Sequence, residues 1–135
     1  MREKIGRREA VERFSSSQLA YLGDAVFEVL VRDKLVRDGV KTPSVSSLGY
    51  VTAAAQSAAA ERIADRMTED ERDVFRRGRN DVHTGVPKGA TPAQYRRATG
   101  FEALFGYLYI LGETGRAAEL FDIAFPGGDR EETEG

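Results

Sequence analysis

Two acidic residues stand in surroundings that disfavour charge. Asp24 lies in LAYLGDAVFEVLV, residues 19–31, directly after Gly23 and between Leu22 and Val26. Glu102 lies in GFEALFGYLYIL, residues 100–111, with Phe101 before it and Gly106 four residues on. A carboxylate among apolar side chains must be neutral, paired or bound to a cation, because burying it uncompensated is costly. Two such acids brought face to face raise each other's pKa unless a cation sits between them. The chain has no cysteine and a single histidine, His83, so thiolate and multi-histidine metal sites are excluded within it. An oxygen-liganded ion remains, Mg²⁺ above all, with Mn²⁺ as a possible substitute. Magnesium keeps waters and phosphate oxygens in its shell, so two carboxylates suffice for a phosphoryl-transfer site. The competing reading is structural: Asp24 pairs with an arginine, and Glu28 bridges to Arg32 one turn on. Spacing alone leaves the two readings about even.

A second group of residues concerns phosphate rather than metal. The net charge is -2, which argues on its face against a nucleic-acid partner, but the charge is unevenly placed. Arg76, Arg77, Arg79, Lys88, Arg96 and Arg97 face one acid, Asp81, between positions 76 and 97, a local balance of +5. The last ten residues, PGGDREETEG, carry four acids against Arg130, a balance of -3. Such segmentation matters more to a polyanion than the total does. Within RRGRN, residues 76–80, Gly78 is expected to turn the backbone and leave Arg77, Arg79 and Asn80 free to meet phosphate or ribose. The planar guanidinium fork suits paired phosphate oxygens. A merely solvated cationic face is the alternative. His83 reads as a surface loop residue, and Tyr50, Tyr95, Tyr107 and Tyr109 as packing residues.

The elements that must position these groups are helical. Hydrophobic content of 41% and charged content of 31% over 135 residues suit one globular domain. Ser15 to Ser17 offer caps to a helix running to about Arg37 and stopped by Gly39. Thr42-Pro43 opens a short helix. AAAQSAAAERIADRM within residues 50–67 is a strong helix former. Thr68 and Glu71 form a capping box for a helix ending at Arg76-Arg77 before Gly78, and residues 78–92 read as a loop. Thr91-Pro92 starts a long apolar helix stopped by Gly112 or Gly115, and GRAAELFDIAF supplies one more. No segment alternates as a strand should. The expected class is all-α, with a charged arm or short helix at 1–14, a catalytic domain at 15–125 and an acidic, disordered tail at 126–135. No apolar run is long enough to span a membrane, and MREKIGRREAVERF lacks the apolar core of a secretory signal, which together predict a cytoplasmic protein.

Four ordered stretches, LAYLGDAVFEVLVR, RRGRN, Pro87-Lys88 and YRRATGFEALFGYLYI, resemble Mini-ribonuclease III, the small bacterial branch of the ribonuclease III family, over roughly residues 17–122. The resemblance implies a homodimeric, all-helical endonuclease that cuts double-stranded RNA with Mg²⁺, leaves 5'-phosphate and 3'-hydroxyl ends, and matures 23S ribosomal RNA precursors. A ribosomal protein that presents the substrate is a further implied partner. Carried onto this sequence, the central catalytic and metal-binding acid is Asp24 and the second metal ligand is Glu102. Tyr21 takes the place of an aromatic residue that plugs into the partner subunit. Larger members carry two more carboxylates, at positions held here by Ala20 and Thr99. The resemblance to the small branch carries the expectation that the separate double-stranded-RNA-binding domain of larger members is missing here. Arg77, Arg79, Asn80 and Lys88, with Arg76 and Arg97, are then the residues expected to hold the duplex, and Glu28 is open to three readings: a ligand, an outer partner that hydrogen-bonds a metal-bound water, or a partner of Arg32 alone. The rival class is a non-catalytic helical module that binds RNA or a ribosomal protein.

Overall fold

The computed structural model describes residues 2–81 and 89–127. Among these residues the chain is helical and contains no strand. Its elements are α1 (Arg7–Arg13), α2 (Ser16–Arg37), α3 (Pro43–Ser46), α4 (Leu48–Val51), α5 (Ala53–Ile63) with a 3₁₀ turn over Ala64–Arg66, α6 (Glu69–Asn80), α7 (Pro92–Ile110) and α8 (Thr114–Ala124).

The helix starts follow their capping residues. Ser15 accepts from the Gln18 amide while the Gln18 side chain accepts from the Ser15 amide, and Thr68 with Glu71 and Thr91 with Gln94 repeat the arrangement. The stops follow the glycines: Gly39 and Gly112 both take positive φ just beyond α2 and α7. Thr42 precedes α3 as expected, although its side chain makes no capping bond. One boundary differs from expectation. Gly78 does not turn the chain; α6 runs through it to Asn80.

The reason is packing. Helix α7 is central and lies against α2, α5, α6 and α8. Where α6 crosses it, a Cβ on Gly78 would lie 2.9 Å from the Cα of Gly100, so each glycine makes room for the other helix. Where α2 crosses it, the relation is reciprocal. Gly23 rests against the carbonyl of Glu102, and Gly106 rests against the carbonyl of Leu19. Glycine inside a helix costs about 0.5–1 kcal/mol relative to alanine, and here that cost permits main chain to touch main chain.

The rotation of the two helices is fixed by aromatic packing. Phe27, one turn after Asp24, meets Phe101 with ring centroids 5.3 Å apart and Phe105 at 5.9 Å, both nearly edge to face. Such pairs add about 0.5–1.5 kcal/mol each beyond the area they bury. Phe121 and Phe125 close the cluster from α8 and its end. With the phenylalanines turned inward, Asp24 is left on the surface and Glu102 at its edge. Elsewhere, Glu71 at the start of α6 is buried and accepts two bonds from Arg116 of α8, each 2.9 Å, which ties the two helices together.

Candidate active site

Asp24 and Glu102 open into one cleft of about 440 Å³. Helix α2 lines it with Ser17, Ala20, Tyr21 and Asp24, spaced as one helical face must be. Helix α7 lines it with Tyr95, Thr99 and Glu102, again at spacings of four and three. The side chains of the two acids are within hydrogen-bonding reach of each other. Two acids 78 positions apart in the chain thus meet because Gly23 and Gly106 let their helices approach.

Their environments differ. Asp24 is exposed, whereas Glu102 is largely buried. Burial pushes the Glu102 carboxyl up first, the neighbouring Asp24 adds to the rise, and the carboxamide of Gln56 opposes it; the outcome is about 8. In the absence of a cation Glu102 therefore holds a proton at neutral pH. A carboxyl this far above its ordinary range, beside a second acid and open to a cleft, is a group suited to a task rather than to stability.

The donor set suits a hard cation. The polar atoms lining the cleft belong to carboxylates, hydroxyls and phenols. Among the described residues no cluster of three or more histidine, cysteine, aspartate or glutamate side chains occurs. The pair would therefore leave most of an ion's shell to water and to phosphate oxygens, the manner in which Mg²⁺ is commonly held. Ala20 and Thr99, the positions at which larger ribonucleases III carry further acids, line this same cleft. The Thr99 hydroxyl donates instead to the Tyr95 carbonyl at 3.0 Å.

The cationic candidates divide into two neighbourhoods. Arg76, Arg77 and Asn80 line a second open cleft of about 510 Å³, beside Ser15 and Ser16 at the start of α2. Ser17 lines the acid cleft and donates to Asp81 of the arginine cleft at 3.4 Å, so the two clefts adjoin. Arg76 is engaged by Asp73 at 3.0 Å, Arg77 donates to the Val11 carbonyl at 3.4 Å, and Arg79 donates to Asn80 at 3.2 Å. These contacts lie at the surface, where a phosphate can compete for the same donors. Arg97 is placed differently: it donates to Ser57 of α5 at 3.0 Å and lies 3.7 Å from Glu61, joining α7 to α5. Lys88, Pro87 and His83 lie outside the described residues. Glu28 makes the one-turn pair with Arg32, at 3.3 Å, and does not line the acid cleft. Tyr21 is 86% exposed at the cleft mouth.

The expectation that Gly78 frees the arginines by turning the chain is corrected here. Arg76, Arg77 and Arg79 are displayed from a continuous helix, and Gly78 serves the α6–α7 crossing. Sequence reasoning also read Tyr95 as a packing residue, whereas it lines the cleft, and passed over Gln56. Gln56 carried a signal, being the one long polar side chain in AAAQSAAA, and it is only 3% exposed.

Comparison with known proteins converges on one family. The family model for the ribonuclease III domain matches residues 17–113, a span that includes both acids. The Mini-ribonuclease 3 of Symbiobacterium thermophilum is 47% identical over 109 residues, covering 78% of this chain and 84% of that protein. The Mini-ribonuclease 3 of a Thermoanaerobacter species is 40% identical over 120 residues, covering 87% and 84%. A crystal structure of a protein from Fusobacterium nucleatum shares the fold with a TM-score of 0.78 and 27% identity, over 87% of this chain and 98% of that one.

Proposed function

The chain belongs to the Mini-ribonuclease III branch of the ribonuclease III family, and we propose that it cuts structured precursor RNA at the cleft shared by Asp24 and Glu102. Family membership makes it an endoribonuclease of double-stranded RNA. The finer reading is that Asp24 and Glu102 hold a divalent ion, Mg²⁺ in the first instance, and that the substrate is a 23S ribosomal RNA precursor bound by a homodimer. The observation that carries it is the meeting of two carboxyl groups, from α2 and α7, in a cleft open to solvent.

The reaction is hydrolysis of a phosphodiester. A water oxygen forms a bond to phosphorus, the bond to the 3'-oxygen breaks, and the leaving oxygen takes a proton, giving 5'-phosphate and 3'-hydroxyl ends. A divalent ion bound at the acids polarises the phosphoryl oxygen and lowers the pKa of the attacking water. The protein's own residues do the rest. Asp24, exposed and facing the cleft, and Glu102 would hold the ion between them, Glu102 as its carboxylate. Arg76, Arg77, Arg79, Asn80 and Lys88 hold the phosphates that flank the cut, and the adjoining arginine cleft supports this for the first two arginines and Asn80. Recognition of A-form RNA through phosphates and 2'-hydroxyls needs no base-reading element. Tyr21, exposed beside Asp24, is the group through which a second copy of the chain would dock.

The test compares the wild type with Asp24→Asn on an end-labelled duplex, with Mg²⁺ and with EDTA, and on the same strand unpaired. The reading requires cutting of the duplex alone, with Mg²⁺ alone, by the wild type alone. Equal cutting by both proteins, or none at any Mg²⁺ concentration, overturns it.

A further inference from the structure

Glu102 lines two cavities. Beyond the acid cleft, it borders a second of about 490 Å³, between the start of α5 and α7, with Tyr95, Thr99 and the buried Gln56. The side chain therefore has two places to go. Turned toward the acid cleft, the carboxyl can meet an ion beside Asp24, and the oxygen left facing the second cavity then needs a donor there. Gln56 is the polar side chain of α5 that lines this cavity together with Glu102, and it draws the Glu102 pKa down against burial and Asp24. Its carboxamide N–H can donate to one carboxylate oxygen and leave the other turned toward Asp24.

Gln56 is itself well fixed. It lies in the interior of α5, is 3% exposed, and is followed by Ser57, which accepts from Arg97 of α7 at 3.0 Å. That bond and the nearby Glu61 tie α5 to α7 within a turn or two of Gln56. We infer that Gln56 is a positioning residue, which fixes the Glu102 carboxylate in the orientation that completes a divalent-ion site with Asp24. Partners of this kind, one shell out from a metal ligand, typically govern affinity by 10–100-fold. The inference rests on the reading of the acid pair as an ion site.

The experiment measures Mn²⁺ binding to the RNA-free protein by calorimetry or electron paramagnetic resonance, beside steady-state cleavage, for wild type, Gln56→Met, Gln56→Asn and Asp24→Asn. Methionine keeps the volume and loses the donor, leaving one oxygen of the Glu102 carboxyl without its partner on α5. Asparagine keeps the donor but withdraws it by one methylene. Both variants are expected to bind Mn²⁺ about tenfold more weakly, to lose kcat in proportion at limiting Mn²⁺, and to keep the wild-type KM for duplex. Raising Mn²⁺ is expected to restore much of the kcat of Gln56→Met. Should Gln56→Met fail to fold, Gln56→Asn alone decides. Mn²⁺ affinity within twofold of wild type in the folded variants overturns the role of Gln56. If Asp24→Asn still abolishes binding and cutting in that case, the nuclease reading stands and only this inference fails.

Discussion

Placing a methyl group at Gly23 tests how the acid pair is held. In Gly23→Ala the new carbon would lie 2.6 Å from the carbonyl carbon of Glu102 and 2.8 Å from the amide nitrogen of Gly106, and closer still to the Glu102 carbonyl oxygen. All three atoms are main chain, so no side chain can rotate out of the way. Ordinary contact begins near 3.4 Å, so α2 and α7 must separate by about 1 Å or more. Forcing a methyl into a packed interface costs about 1–3 kcal/mol, against which alanine returns about 0.5–1 kcal/mol of helix propensity. Backbone contacts this short put the cost at the upper end of that range, so a net loss of roughly 2 kcal/mol should lower Tm by about 5–10 °C. The effect on catalysis is larger, because Asp24 is the next residue and moves with the helix. A misplacement of about 1 Å costs on the order of a hundredfold in rate. The assay is a thermal melt followed by cleavage of a labelled duplex well below Tm. Gly115→Ala is the control, since it lies in α8 with nothing near its would-be methyl, and it should raise Tm slightly. A Gly23→Ala protein that melts at or above the wild-type temperature and cuts at the wild-type rate would refute the argument.

Three further outcomes are expected. Because burial and Asp24 raise Glu102 to about 8, its contribution to the stability of the metal-free protein is full at low pH and is lost as pH rises through about 8. Melts in EDTA should show wild type losing roughly 2–4 kcal/mol between pH 5 and 9, and Glu102→Gln should flatten that slope while abolishing cleavage. Arg116→Ala takes two bonds from the buried Glu71 and leaves it the one from the Thr68 amide, so it should cost about 1.5–3 kcal/mol. Read by denaturant titration, a loss under 1 kcal/mol would show that the α6–α8 tie is superficial. Tyr21→Ala should shift sedimentation toward the monomer at micromolar protein, and an unchanged oligomeric state would remove Tyr21 from the docking surface.

Much of this arrangement was legible in the chain, and the limits are instructive. Ser15, Thr68 and Thr91 marked helix starts because capping is a local event, settled within four residues. Glu102 was conspicuous because an acid inside an apolar helical run demands a partner; Asp24 drew notice for the same reason, but its side of α2 is exposed and its surroundings do not disfavour charge. Gly78 misled because a glycine beside a helix end looks like a stop, and only the crossing with Gly100, 22 positions away, shows otherwise. Arg97 and Gln56 were opaque for a related reason. Their partners, Ser57 and Glu102, lie on other helices, and no local pattern discloses such a pairing.

The reciprocal crossing of Gly23 and Gly106 has an implication for how such an enzyme can diversify. It makes the spacing of the acids a property of peptide geometry, indifferent to which side chains decorate the rest of the surface. The guanidinium groups of α6, by contrast, are held by weak, exchangeable contacts at the rim. If those groups hold the duplex as proposed, stem preference can drift through the rim one arginine at a time while the cutting chemistry stays constant. A widened crossing would silence the enzyme toward every stem alike.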